Sequence, residues 1–281
     1  MRKRRSQAVA HTWLVLMVLI YVVPIWLMIV TSVRSPDGGV FRDWNPFRLR
    51  ALLPYHPDFG PYRQLFADGS EFRTALVNTL FVCLVTVVAG TAVNMLAGFA
   101  FAYFEFPGRG AVFAICLITF MVPFEAVVIP LLIMMQRLTL VDTLTAVILP
   151  TIASGFLVFM FRQFYRGIPR DLREAAMIDG ANLWQIIRRI YLPLSRPLMV
   201  TAAIVLFIAQ WQAFFLPLVV LQTPTNWVAQ LALASLQGTV QLPSWGPVLA
   251  GGVVMLLVPI ILVAPFMRYF KVSILDGSAR G

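Results

Sequence analysis

The amino-acid sequence predicts an all-α membrane protein built as one bundle of six transmembrane helices. Of its 281 residues, 60% are hydrophobic and only 12% are charged, whereas roughly half of a soluble domain is apolar. Six apolar segments each approach or exceed the about 20 residues that a helix needs to cross a membrane. We therefore expect a single transmembrane domain over residues 1–281, with spans at residues 12–33, 74–103, 111–136, 143–163, 197–222 and 246–267.

The first apolar segment follows a basic stretch, Arg2-Lys3-Arg4-Arg5, as the apolar region of a secretory signal peptide does. The segment is longer than the apolar region of such a peptide, and no cleavage site of small residues follows it. We interpret it as a first span that is retained in the mature protein.

Basic residues set the expected orientation of the chain. With the N-terminus inside the cell, 15 of the 22 lysines and arginines fall on the inner side and 7 on the outer side. Because inner segments of membrane proteins carry the excess of basic residues, we expect both termini in the cytoplasm. The net charge of +10 follows from this bias, and no nucleic acid is expected as a partner.

The residue patterns give no indication of catalysis or metal binding. Cys83 and Cys116 both lie in apolar runs, where a free cysteine packs as a small hydrophobic side chain. The spans contain neither a His-Glu-x-x-His motif nor a pair of aspartates, which an intramembrane hydrolase would need. We expect no catalytic residue, no metal and no cofactor in this chain.

A charged loop, residues 164–196, separates the fourth and fifth spans. Pro169 suits the first position of a helix, and Gly180 suits a helix end because glycine adopts positive φ without penalty. Asn182, with a glutamine three residues later, forms a capping-box pattern for a second helix, which we expect to end before Pro193. From composition alone, two interpretations of this loop are equally favoured: a docking element for a partner protein, and an amphipathic element that lies on anionic lipid.

The same loop carries the pattern EAA-x2-DGA-x8-I-x-L-P over residues 174–193. This pattern resembles the cytoplasmic loop of bacterial ABC importer permeases. The resemblance implies a cytoplasmic coupling helix between spans 4 and 5, which sits in a groove of a separate ATPase subunit. It implies that Glu174 pairs with a basic residue of the ATPase. The residues that it assigns to ATPase coupling are Glu174, Ala175, Ala176, Asp179, Gly180 and Ala181.

Further motifs are similar to those of the carbohydrate-uptake permeases of the maltose-permease G type. The chain departs from the usual pattern of that family at Gln212, where asparagine is usual. The motifs are Asn78-Thr79-Leu80, the run from Met121 to Glu125 with Ile129-Pro130, Trp211 with Pro217-Leu218, and the glycine-rich C-terminus from Asp276 to Gly281.

The resemblance to this family implies an ATP-driven importer in the bacterial inner membrane. Its expected partners are a second homologous permease in a heterodimer, two cytoplasmic ATPase subunits that hold ATP and Mg²⁺, membrane lipid, and an extracytoplasmic binding protein that delivers a sugar. One alternative is the same type of importer for a non-sugar polar solute, such as a glycerophosphodiester or polyol. Another alternative is a secondary transporter.

Polar residues inside the spans are candidates for the solute pathway. Glu125 is the only acidic residue well inside a span, and its carboxyl either contributes to the pathway or bonds a backbone carbonyl freed by a nearby proline. Amides and aromatic rings recognise sugars, but amides also hold helices together. Both interpretations apply to Asn94, Gln210, Trp211 and Gln212.

The outer segment of residues 34–71 is too polar to span the membrane. It is either a surface that receives a partner or a plain connecting loop, and we expect a short helix near Tyr62–Phe66. In the second outer loop, residues 223–245, prolines and small polar residues favour turns.

Overall fold

The computed structural model describes residues 2–34, 41, 44, 48–54, 57–237 and 245–266, with side chains from residue 11 onward. Helices make up nearly all the regular structure of these residues, and an isolated β-bridge joins Arg34 to Pro57. The all-α fold predicted from the sequence is therefore confirmed. The side chains of Arg2 to Arg5, the predicted turn at Pro243-Ser244 and the C-terminal tail lie outside the described part of the chain.

The described helices differ widely in length. Some are long and continuous, whereas others are short or form bent pairs. In chain order they are α1 (Arg2–Ser32), α2 (Gly60–Phe66), α3 (Glu71–Tyr103), α4 (Arg109–Met121), α5 (Phe124–Arg137), α6 (Leu144–Ile148), α7 (Gly155–Arg166), α8 (Arg170–Ile178), α9 (Leu183–Ile186), α10 (Leu192–Leu194), α11 (Arg196–Trp211), α12 (Phe215–Val220), α13 (Ala229–Ser235) and α14 (Trp245–Val263).

Three stretches are long and apolar enough to cross a membrane as single helices: His11–Ser32, Glu71–Tyr103 and Trp245–Phe266. Three further candidate spans are pairs of helices joined at a bend. The bend is 108° between α4 and α5, 40° between Leu144–Thr151 and α7, and 74° between Leu183–Leu194 and α11. The described residues thus provide up to six spans, a number reached when each bent pair is taken as one span.

The third predicted span, residues 111–136, is broken rather than continuous. Between α4 and α5, Val122 has an extended backbone, with φ −80° and ψ 125°. The cause is Pro123, since its ring disfavours the helical conformation of the preceding residue and it has no N–H to donate. Three other prolines lie inside helices without ending them: Pro24, Pro130 and Pro259.

The fifth predicted span, residues 197–222, is also interrupted. α11 ends at Trp211, and α12 begins only at Phe215. Pro217 accounts for the interruption, because in a continuous helix its ring would clash with the carbonyl of Ala213, four residues earlier.

The second helix of the charged loop does not end before Pro193, contrary to expectation. It passes from α9 through a π turn at Ile187–Tyr191 into α10, where Pro193 lies in the first turn. Pro193 has no N–H to donate to the preceding turn. The π turn lies directly before it, and there the N–H of Leu192 donates to the carbonyl of Ile187, five residues earlier. The helix ends at Ser195, whose N–H donates to the Tyr191 carbonyl at 2.9 Å.

The chain forms two compact units, of which the first comprises Met1–Thr74 and Ala232–Val258. Within it, the hydroxyls of Ser32 and Tyr62 share a hydrogen bond of 2.7 Å, which ties α1 to α2. α2 confirms the short helix predicted near Tyr62. A Cβ added at Gly252 would lie 3.3 Å from the sulfur of Met28, so α14 packs closely against α1.

The second unit comprises Ala75–Leu231 and Pro259–Gly281. Two apolar clusters lie in its core. The first includes Val82, Met135, Val147, Leu216 and Val220. The second includes Phe99, Leu157, Phe161, Tyr165, Ile186 and Tyr191. Since the last two residues belong to the charged loop, the second cluster attaches that loop to α3 and α7.

Candidate functional site

The charged loop of residues 164–196 folds as two helices around a tight turn. Gly180 ends the first helix with a φ of +76°. Its N–H donates to the Met177 carbonyl at 3.1 Å, and the N–H of Ala181 donates to the Ala176 carbonyl at 2.9 Å. These two bonds form a Schellman motif, so the predicted helix stop at Gly180 is confirmed.

The second helix of the loop begins with a reciprocal pair of caps. The N–H of Gln185 donates to Asn182 Oδ1 at 2.9 Å, and the N–H of Asn182 donates to Gln185 Oε1 at 2.9 Å. This is the capping box that the sequence predicts. Because hydrogen bonds close both sides of the turn, residues 179–181 hold a defined shape.

The tip of the loop is exposed and partly apolar. Met177, Ile178 and Trp184 are 55%, 86% and 64% exposed. An exposed apolar patch with polar surroundings marks an interaction surface. Sequence reasoning missed Trp184, although an aromatic residue in a charged stretch is a usable signal. Of the predicted coupling residues in this tip, Glu174, Ala175, Asp179 and Gly180 are exposed, and Ala176 and Ala181 are half-buried.

The base of the loop is buried, in contrast to its tip. Ile186 and Tyr191 are 2% and 8% exposed. The ring centroid of Tyr191 lies 4.9 Å from that of Phe99 and 5.4 Å from that of Tyr165. A partner that pushed on the tip would therefore act on α3 and α7 through packed aromatic rings.

A cavity of about 390 Å³ lies in the second unit at the two breaks in the predicted third and fifth spans. Its wall includes Phe124 just after the first break and Phe214 within the second. The described lining residues include no basic side chain. Their polar side chains are Thr86, Glu125, Thr151, Gln210 and Gln212.

Two of these polar side chains are buried without a hydrogen-bond partner in the described structure. Gln210 and Thr86 are 5% and 1% exposed, and Gln210 Nε2 and Thr86 Oγ1 are unpaired. Because an unpaired buried polar group is costly, each is suited to bond a polar group inside the cavity. Thr86 was missed from the sequence, since a threonine in an apolar helix ordinarily bonds a carbonyl of its own helix.

The other predicted pathway residues differ in their surroundings. Glu125 and Gln212 line the cavity and are exposed. Glu125 lies in the first turn of α5. Trp211 is only 3% exposed and stacks on Phe207 at 5.7 Å, and it is not part of the cavity wall. In the described part of the chain, no cluster of His, Cys, Asp and Glu side chains could hold a metal ion.

Asn94 bridges the interruption of the fourth span. Its fully buried side chain donates from Nδ2 to the carbonyls of Gly90 and Ile152 at 2.7 and 2.8 Å. Its Oδ1 accepts the N–H of Ser154 at 2.8 Å. The bonds to Ile152 and Ser154 satisfy backbone groups of an interrupted helix that lipid could not satisfy, so the geometry favours helix packing over solute contact for Asn94.

Asp142 fixes the chain just after α12, whose residues form part of the cavity wall. Its Oδ1 accepts the N–H groups of Thr223 and Gln222 at 3.0 and 2.8 Å, and its Oδ2 accepts the Thr223 hydroxyl at 2.8 Å. The backbone N–H of Thr223, followed by that of Gln222, lowers the pKa of the Asp142 carboxyl to about 2. The carboxylate is thus charged at neutral pH and keeps this connection closed.

Comparison with known proteins gives consistent similarities. The family model described as binding-protein-dependent transport system inner membrane component matches residues 94–272. The chain is 37% identical to the arabinooligosaccharides transport system permease protein AraQ of Halalkalibacterium halodurans, over 77% of each chain. It is 34% identical to the lactose transport system permease protein LacG of Rhizobium radiobacter, over 71% of this chain and 73% of the relative.

Solved structures share the fold. A bacterial ABC transporter involved in the import of the acidic polysaccharide alginate matches with a TM-score of 0.81 and 23% identity, over 94% of this chain and 96% of that chain. A bacterial alginate ABC transporter in complex with an alginate pentasaccharide-bound periplasmic protein matches with a TM-score of 0.61 and 18% identity, over 92% of this chain and 94% of that chain. Identities this low establish a common fold.

Proposed function

The chain belongs to the binding-protein-dependent transport system inner membrane component family, and on that premise we propose that it is a permease subunit of an ATP-driven ABC importer. In this proposal it forms half of the translocation pathway for a sugar that an extracytoplasmic binding protein delivers. The relatives named for arabinooligosaccharides and lactose support a carbohydrate as the solute.

The main observation that supports this proposal is the structure of the charged loop. Its tip presents exposed apolar side chains beside Glu174, while Ile186 and Tyr191 bury its base. An element that lay flat on lipid would need no such turn and no buried base. We assign the coupling role to Glu174, Ala175, Ala176, Asp179, Gly180 and Ala181. ATP and Mg²⁺ then bind to separate ATPase subunits, and this chain performs no catalysis.

The remaining parts of the proposed assembly follow from the family. The chain acts as one transmembrane domain over residues 1–281, with both termini in the cytoplasm, and pairs with a second homologous permease. Two ATPase subunits bind below it. The likeness to a transporter solved with a periplasmic protein supports a binding protein on the outer side.

The charge of the cavity favours a neutral solute. Its polar lining consists of hydroxyls, amides and the carboxyl of Glu125, with no basic side chain among the described lining residues. Hydroxyls and amides bind sugar hydroxyl groups, whereas a carboxylate in a partly apolar cavity repels an anion. A neutral sugar or polyol thus fits this cavity better than a glycerophosphodiester.

Purification of the tagged chain from its own cells in mild detergent tests the proposal. We expect a second permease, an ATPase and a binding protein to be identified by mass spectrometry. A Gly180→Pro variant is the matched control, because it should retain the second permease and lose the ATPase.

Two results would count against this function. Recovery of the chain alone, still moving solute in liposomes without ATP, would indicate a secondary transporter. A co-purified binding protein that takes glycerophosphodiesters or acidic oligosaccharides and rejects neutral sugars would overturn the assignment of the solute but leave the importer intact.

A further inference from the structure

A second, strongly basic cavity of about 480 Å³ lies in the same compact unit, where several helices end. Tyr103 at the end of α3, Arg109 at the start of α4 and Arg166 at the end of α7 all line it. Because α3 and α7 are candidate membrane-crossing helices, their ends place this cavity at the level of a membrane surface. None of the residues assigned above to ATPase coupling or to the solute pathway belongs to its lining, which does include Tyr165 and Tyr191 at the base of the charged loop.

The positive charge of this basic cavity is largely uncompensated. The described lining residues include Glu105 as their single acidic side chain. Arg173 lies 3.8 Å from Glu174, which is 59% exposed, so that ion pair is weak. Like charges held together in this way destabilise one another unless an anion binds between them. The five arginines that line the cavity are Arg109, Arg162, Arg166, Arg170 and Arg173.

Aromatic rings hold two of these guanidinium groups in place. Arg162 lies over the Phe113 ring at 4.0 Å, and Arg173 lies over the Tyr103 ring at 5.1 Å. Stacking fixes the plane of a guanidinium group and leaves its N–H edge available. The Nε atoms of both arginines are buried, and neither has a hydrogen-bond partner in the described structure. A fixed guanidinium edge matches the oxygens of a phosphate group, to which it can donate two parallel hydrogen bonds.

We propose that this basic cavity binds the phosphate group of an anionic lipid headgroup. The lipid is favoured over a free phosphate because basic pockets between membrane helices at the inner surface bind anionic headgroups. Here the ends of α3 and α7 place the cavity at the membrane surface, where lipid headgroups lie. The consequence concerns coupling: Arg170 and Arg173 belong to α8, so a bound headgroup would fix the start of the helix that carries Glu174.

Thermal unfolding of the purified full-length chain in mixed micelles tests this site. The probes are phosphatidylglycerol, phosphatidylcholine and inorganic phosphate, each titrated separately. The test variant is Arg166→Gln with Arg170→Gln, since both side chains are exposed and neither stacks on a ring. The control is Arg63→Gln with Arg137→Gln, which removes two exposed arginines that do not line the cavity.

We expect phosphatidylglycerol, but not phosphatidylcholine, to raise the unfolding temperature of the unmodified chain and of the control. The test variant should need about 25-fold more phosphatidylglycerol for the same shift, at about fivefold for each of the two arginines. If that variant does not elute as a single species, Arg166→Lys with Arg170→Lys replaces it. This variant keeps the charge, loses the paired hydrogen bonds, and should weaken the effect less.

Other outcomes would overturn the proposal. Equal stabilisation of the unmodified chain and both variants by phosphatidylglycerol would show that the lipid acts elsewhere. An equal, arginine-dependent stabilisation by inorganic phosphate alone would show that a free anion, and not a lipid headgroup, occupies the cavity.

Discussion

Substitutions at Gly180 test the proposed ATPase coupling, because their cost in backbone strain can be worked out from the structure. Its φ is +76°, and a Cβ added there would meet no atom within 4 Å. A side chain at Gly180 therefore costs only the left-handed backbone conformation, about 1–2 kcal/mol for an ordinary residue. That cost lowers the population of the intact turn by about 5- to 30-fold. Asparagine tolerates this conformation, and a β-branched residue tolerates it least.

We expect solute-stimulated ATP hydrolysis by the reconstituted transporter to fall in the order Gly180→Asn, Gly180→Ala, Gly180→Val. The control is the same series at Gly69, which has a φ of +79° and equally open space but lies outside the charged loop. Amounts of chain in the membrane should stay constant in both series. The reasoning is refuted if Gly180→Val couples as well as Gly69→Val, or if asparagine is as harmful as valine.

Three other positions give direct tests. Gly155→Ala would place a Cβ 1.9 Å from the Cys116 carbonyl oxygen and should destabilise the purified chain by about 1–3 kcal/mol or more. The control is Gly110→Ala, whose added Cβ would meet nothing within 4 Å and should leave stability unchanged. Equal unfolding temperatures for the two variants would contradict this reasoning. The pKa of Asp142 is lowered to about 2, so its carboxylate stabilises the fold above the usual pKa of about 4, and this stabilisation is lost as pH falls towards 2. Hydrogen exchange at residues 222–226, corrected for the intrinsic pH dependence, should therefore rise over that window and become pH-independent in Asp142→Asn. Glu125→Gln should keep neutral-sugar uptake within about tenfold and admit anionic analogues better; complete loss of uptake with normal assembly would show that the carboxyl itself is required.

The parts of the structure that depend on local sequence could be predicted. The turn at Gly180 and the capping box at Asn182 each rest on residues no more than five positions apart, so the pattern of residue types was sufficient. The same holds for α2 in the outer segment. Apolar length also located most of the segments that form the candidate spans, but it left Leu183–Leu194, one half of a bent pair, in the charged loop.

The breaks within the spans could not be located in the same way. A proline was present at or near each of them, but prolines also lie inside continuous helices of this chain, for example Pro130 and Pro259. The backbone groups freed by the break in the fourth span are bound by Asn94, 58 and 60 residues away. The sequence indicated a polar residue in an apolar run without indicating its partner. Thr86 was missed for the same reason, since only the folded cavity distinguishes it from its neighbours.

The position of α7 gives a physical link between the charged loop and the cavity, as the proposed importer requires. Phe161 and Tyr165, on its C-terminal half, pack with the buried base of the loop. At its N-terminus, Asn94 binds Ser154 of the interruption that follows Thr151, and Thr151 lines the cavity. Because packed interiors resist compression, a displacement of the loop base must move α7 as a body or deform the interruption. Either response changes the wall of the cavity, so in the proposed importer closure of an ATPase against the tip would alter the cavity to which we assign solute binding.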